Sequence, residues 1–115
     1  MNVGDLVDYC LSKPGAEETY PWGEQDLVAK VGGKAFAFIG LESGGVSLKC
    51  GTDAQDAGEW RGRYPDAITV SAYIGKHGWN SVRLAGEVPD EEILELVDSS
   101  YAAIVAKLPR SKRPK

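Results

Sequence analysis

Apolar residues fall at Val3, Leu6, Val7, Cys10 and Leu11, the spacing of an amphipathic helix. Asn2 stands just ahead of them and Asp5 three residues on, a variant of the capping box. Lys13-Pro14-Gly15 ends that helix. The next stretch, AEETYPWGEQ, has no clear period, and Pro21 and Gly23 make it a loop or a short irregular strand. From Asp26 the period becomes two. DLVAKV and KAFAFIG flank Gly32-Gly33, which reads as a hairpin because a tight type I′ turn needs positive φ at both central positions. VSLKC is a third strand, AITVSAY a fourth and WNSVRLAG a fifth. Between the third and fourth, GTDAQDAGEWRGRYP reads as a helix, with Thr52 and Gln55 as a capping box and Pro65 as its stop. A long last helix follows Pro89 or Asp90, with Ile93, Val97, Tyr101, Ile104, Val105 and Leu108 on one face. The acids Asp90, Glu91 and Glu92 suit its positive end.

The predicted order is α-β-β-β-α-β-β-α. Short hairpins imply a mainly antiparallel sheet. The expected fold is therefore α+β: a two-layer sandwich with a five-stranded sheet and helices on one face. Alternation assigns the strand faces. Leu27, Ala29 and Val31 point one way, with Val46, Leu48 and Cys50, and with Val82 and Leu84. Lys30, Lys49 and Arg83 then fall on the uncovered face, along with Thr69, Ser71 and Tyr73.

Composition narrows the class. At 115 residues, 43% hydrophobic and 26% charged, the chain is one ordinary globular domain. No apolar run approaches the ~20 residues of a membrane-spanning helix. No basic leader precedes an apolar stretch, so no signal peptide is expected. Two cysteines, Cys10 and Cys50, make no disulfide framework and fit a reduced, cytoplasmic protein. With His77 as the only histidine, the soft ligands are too few for zinc, and neither a metal nor a cofactor is expected.

The net charge of −4 hides an uneven distribution. The tail KLPRSKRPK carries Lys107, Arg110, Lys112, Arg113 and Lys115 and no acid, which leaves eight basic residues against seventeen acids elsewhere. A basic segment of this kind suits phosphate or an acidic partner. In IGKHGWN, Gly75 and Gly78 bracket Lys76 and His77 and permit a tight turn; Trp79 would anchor it by packing and Asn80 by hydrogen-bonding its backbone. No Gly-x-Ser-x-Gly elbow and no phosphate loop exists, since Gly32-Gly33-Lys34 belongs to a hairpin. Ser99 and Ser100 lie within the last helix, Cys50 reads as a buried thiol, and Trp22 and Trp60 read as wholly or partly core aromatics.

The blocks EETYPWGEQDLVAKVGGKAFAFI, VSLKC, YPDAITVSAYIGKHGWNSVRL and VDSSYAAIVAKLP resemble the MmcQ/YjbR family of small bacterial proteins. The aromatic Trp22 before Gly23, Lys30, Leu48-Lys49 and the run from Lys76 to Val82 match its pattern. The resemblance implies a fold like that of type III secretion chaperones, also described as CyaY-like, over residues 1–109, with 110–115 as a basic flexible tail. It carries the label DNA-binding and no reaction or cofactor. A frataxin-like use of acids to bind iron needs a clustered ridge, and Glu17, Glu18, Glu24 and Asp26 form only an acidic loop.

These readings lead to a non-enzymatic binding protein. Its expected partner is DNA, contacted with little sequence preference through Lys30, Lys49, Lys76, His77, Trp79, Asn80 and Arg83 on a basic sheet face, with Lys107, Arg110, Lys112 and Arg113 as a tether. The alternative is a chaperone-like module that binds a protein partner through the same face or a dimer interface. The acidic body favours that alternative, because it repels DNA outside a basic patch.

Overall fold

The first helix, α1 (Val3–Leu11), begins where the sequence places its cap. The Asn2 side chain accepts from the Asp5 N–H at 2.8 Å, and the Asp5 carboxylate accepts from the Asn2 N–H at 3.2 Å. The computed structural model describes residues 1–51, 54–71 and 77–114. Thr52 of the expected Thr52–Gln55 capping box, Tyr73, Lys76 and Lys115 fall outside the described residues.

Six strands follow the order β1 (Ala16–Thr19), β2 (Asp26–Val31), β3 (Lys34–Gly40), β4 (Gly45–Lys49), β6 (Trp79–Arg83), β5 (Ile68–Val70) across one antiparallel sheet. Helix α2 (Ala54–Arg63) connects β4 to β5, and β6 inserts between them. Helix α3 (Asp90–Ala106) crosses β3 and β4 on the same face as α1 and α2. The two-layer α+β sandwich is as expected, but the sheet has six strands rather than five. The extra strand is β1, paired from Ala16↔Val31 to Thr19↔Val28. Its sequence AEET shows no alternation because an edge strand is held mainly by its backbone ladder and tolerates polar side chains on both faces. No helix among the described residues is long and apolar enough to cross a membrane.

The Gly32–Gly33 turn has φ of +57° and +83°, the left-handed values the hairpin requires. It also serves a second purpose. A Cβ on Gly32 would stand 2.6 Å from Leu108 Cδ1 and 3.0 Å from the Lys112 carbonyl oxygen. The chain beyond α3 therefore packs against this hairpin. Leu108 is buried there, and residues Arg110–Lys112 form a 3-10 turn. Arg113 donates to the carbonyls of Leu108 (2.9 Å) and Ala106 (3.1 Å), satisfying acceptors the helix end leaves open. Pro114 reaches the space beside Gly15. The segment expected to be a flexible tail lies along the domain as far as it is described.

A β-bulge interrupts the hairpin. Ala29 faces Ala37, but Lys30 faces Ala35, so Phe36 is the extra residue. The bulge turns Phe36 toward the helices, where its ring meets Tyr101 edge-on at 5.2 Å. The β3–β4 ladder ends at Ala37↔Leu48, and Ser100 of α3 fills the gap beyond it. Its hydroxyl donates to the Phe36 carbonyl (2.6 Å) and accepts from the Lys49 N–H (3.0 Å). Two buried backbone groups that the sheet leaves unpaired are thereby satisfied. Removing the hydroxyl strands both, so Ser100→Ala should cost about 1–3 kcal/mol, while Ser99→Ala on the exposed side should stay within about 0.5 kcal/mol. Urea unfolding of the two variants checks this; equal midpoints would remove the bridging role.

Candidate functional site

The uncovered sheet face carries one continuous row of directly opposed residues: Thr19, Val28, Phe38, Ser47, Ser81 and Thr69. At its centre is an aromatic group. Trp22, from the loop between β1 and β2, stacks on Phe38 with ring centroids 5.7 Å apart and an angle of 17°. Trp79 meets Phe38 edge-on at 5.3 Å. Trp22 is 67% exposed, so the expected core role does not hold for it: it lies on top of the sheet, not inside it. Beside the stack lies a pocket of about 320 Å³, bordered by Trp22, Asp26, Val28, Phe38, Ser47 and Ser81. Gly40 and Gly45 oppose each other in the row of Asp26 and Arg83, and the space over Gly40 is taken by the Ser43 hydroxyl, which also borders the pocket. Three hydroxyls line up at the other end of the central row. Ser47 and Ser81 are 3.1 Å apart, and Ser71 lies 3.2 Å and 3.4 Å from them.

The cations do not gather on this face. Lys30 and Arg83 both project from the uncovered side, as alternation requires, but from diagonally opposite corners. Three strand spacings and four residues separate them, on the order of 20 Å. Lys49 is only 3% exposed. It ends β4, one residue beyond the last β3–β4 pair, and its ammonium donates to the His77 carbonyl at 2.5 Å. Burial pushes its pKa below the usual lysine value, and the nearby Lys107 ammonium pushes in the same direction. Asn80 is fully buried on the helix side: its amide donates to Ala57 O (2.9 Å) and its oxygen accepts from Arg61 (2.7 Å). The polar contact expected of Asn80 is therefore made with α2, which leaves it no access to a ligand. Trp79 is buried by packing, as anticipated, and His77 is exposed. Lys76 lies outside the described residues.

A different convergence takes the place of the expected one. Lys30 and Lys34 flank the Gly32–Gly33 turn. The chain end that packs on this turn brings Lys107, Arg110, Lys112 and Arg113 to the same end of the sheet. Lys34, Lys107, Arg110 and Lys112 are exposed and Lys30 is half-buried. Glu17 stands across from Lys30 in register, yet the ion pairs among the described residues are Met1–Asp90, Lys13–Asp98 and Arg63–Glu92. None of them uses this cationic end. The sequence reading overlooked Lys34 because a lysine after Gly-Gly is ordinary for a hairpin.

Nucleophilic chemistry finds no support in the thiols. Burial pushes Cys10 up to about 12 and Cys50 up to about 11, which keeps both protonated at neutral pH. Among the described residues, no group of three His, Cys, Asp or Glu side chains is placed to hold a metal ion.

A family model described as YjbR matches residues 11–103. The chain is 32% identical to the uncharacterised protein YjbR of Escherichia coli strain K12 over 113 residues, 98% of this chain and 95% of that one. The same identity and coverage hold for YjbR of Escherichia coli O157:H7. Among solved structures, the Deinococcus radiodurans protein DR2400, a DUF419 domain, superposes with a TM-score of 0.85 at 30% identity, over 96% of this chain and 84% of that one. A Pseudomonas syringae protein superposes with a TM-score of 0.72 at 22% identity, over 90% of this chain and 98% of its own, which supports the fold.

The position of Lys49 has a consequence for pH. Its folded pKa lies below the ordinary 10.5 of the unfolded chain. Between the two values the unfolded state binds more protons, so stability contributed at this site rises with pH. Any advantage of Lys49→Met over the wild type should therefore shrink as the pH is raised from 8 toward 10.5. Denaturant unfolding across that range measures the difference, and a flat difference would mean that the ammonium is not desolvated.

Proposed function

This chain belongs to the YjbR family, and we propose that it is a non-enzymatic protein that binds nucleic acid, gripping phosphates with the hairpin end of its sheet. One observation carries the reading. Five cations from two separate parts of the chain — Lys30 and Lys34 of the hairpin, and Lys107, Arg110 and Lys112 beyond α3 — share one end of the domain with no ion pair among the described residues, while acids dominate elsewhere. Exposed lysines and arginines clustered at one end and held in no ion pair are suited to a polyanion, whose bound counterions they release. Arg113 is the exception in the group, because its guanidinium caps α3. Contacts of this kind go to the backbone and carry little sequence preference. A DNA partner in the cytoplasm fits the two free, buried thiols, which need no oxidising compartment.

With about five phosphates neutralised, duplex affinity should fall by roughly four to five decades per tenfold rise in salt. Replacing Arg110 and Lys112 by Glu should weaken binding at ~50 mM salt by ten-fold or more and flatten that slope. Fluorescence anisotropy on short labelled DNA measures both. Absence of binding at ~50 mM salt would overturn the reading.

A further inference from the structure

Resting on that reading, we propose that the uncovered sheet face holds one base of a single-stranded nucleic acid, stacked on the Trp22 indole, with its backbone directed toward Lys30. Trp22 is 67% exposed although its ring is held parallel to Phe38, so the opposite face of the indole is open to solvent. Phe38 is itself braced by Trp79. An exposed aromatic fixed from behind is the element that single-strand binders use to stack a base.

Charge complementarity along β2 orients the guest. Asp26, Val28 and Lys30 share the uncovered face at two-residue intervals, each step about 7 Å. Asp26 borders the pocket and offers only acceptors, which suits the N–H groups of a base edge. Lys30, at the other end of this axis, suits a phosphate and leads on to Lys34 and the cationic end. Ser47 and Ser81 border the pocket and can turn their hydroxyls to donate or accept, so more than one base edge is accommodated. A base inside a duplex has both faces stacked and its edge paired, and cannot lie on Trp22 without leaving the helix. The face therefore discriminates by strandedness, which the cationic end alone does not.

The test is anisotropy on the full chain with a short thymidine oligomer and a duplex of equal length, for wild type and Trp22→Ala, with circular dichroism to verify that the variant is folded. A second variant, Arg110→Glu with Lys112→Glu, reports on the phosphate grip. The expected result is single-strand binding at least about ten-fold tighter than duplex binding, lost in Trp22→Ala with duplex affinity unchanged, while the charge-reversed variant weakens both. Equal affinities that Trp22→Ala leaves untouched would overturn this inference and leave the phosphate reading standing. No binding of either strand form would overturn that reading and this inference together. A dimer by light scattering that Trp22→Ala converts to monomer would assign the face to a second copy of the chain and overturn the inference.

Discussion

The single extra residue in β3 decides what both faces of the sheet become. Without a bulge, Phe36 and Phe38 would share a side, because strand side chains alternate strictly. With Phe36 as the unmatched residue, one ring enters the helix layer against Tyr101 and the other lies outside as the base of the Trp22 stack. The same irregularity ends the β3–β4 ladder early and leaves the Phe36 carbonyl and the Lys49 N–H without sheet partners. Ser100 supplies both from α3. Core, uncovered face and helix docking are thus coupled through one local departure from regular pairing, which is why such a departure is kept rather than repaired.

A second constraint acts at the hairpin tip. Gly32 has no side chain, and the space this leaves is filled by Leu108 and by the backbone at Lys112. Burying a leucine side chain there is worth roughly 1.5–3 kcal/mol, enough to hold a short segment against the domain. Docking fixes where Lys107, Arg110 and Lys112 stand, and it sets them beside Lys30 and Lys34. The charge pattern of the molecule therefore follows from a packing contact and not from the strand faces.

This explains what could and could not be read from the sequence. The cap at Asn2, the Gly32–Gly33 turn, the face assignments of Leu27, Ala29 and Val31 and the family resemblance were all legible, since each rests on local chemistry or on strict alternation. β1 was not, because an edge strand of AEET has no apolar face to reveal it. Lys30 and Arg83 were given the correct side but not their separation, since strand order and register are needed to see that they occupy opposite corners. Lys49 was given a place on the uncovered face and is buried instead, with its ammonium held by the His77 carbonyl, a contact that local alternation does not reveal. Asn80 looked like a turn residue and serves instead as the polar link between β6 and α2. The exposure of Trp22 was hidden by its position in an aperiodic loop, where hydrophobicity alone suggests burial.

The acidic balance of the chain does not stand against a polyanionic partner. Seventeen acids outnumber the basic residues outside the chain end, and in low salt their field reaches across the whole domain. At physiological ionic strength the screening length is about 8 Å, far less than the separation between opposite corners of this sheet. A phosphate at Lys112 then meets the nearby cations Lys107, Arg110, Lys30 and Lys34 before it meets the net charge. The distant acids act mainly as a limit on orientation, since they penalise any approach except one that leads with the cationic end. A polyanion admitted at that end is aimed along β2 toward the aromatic stack, because Lys30 is, among the described residues, the accessible cation that belongs both to the hairpin tip and to the uncovered face.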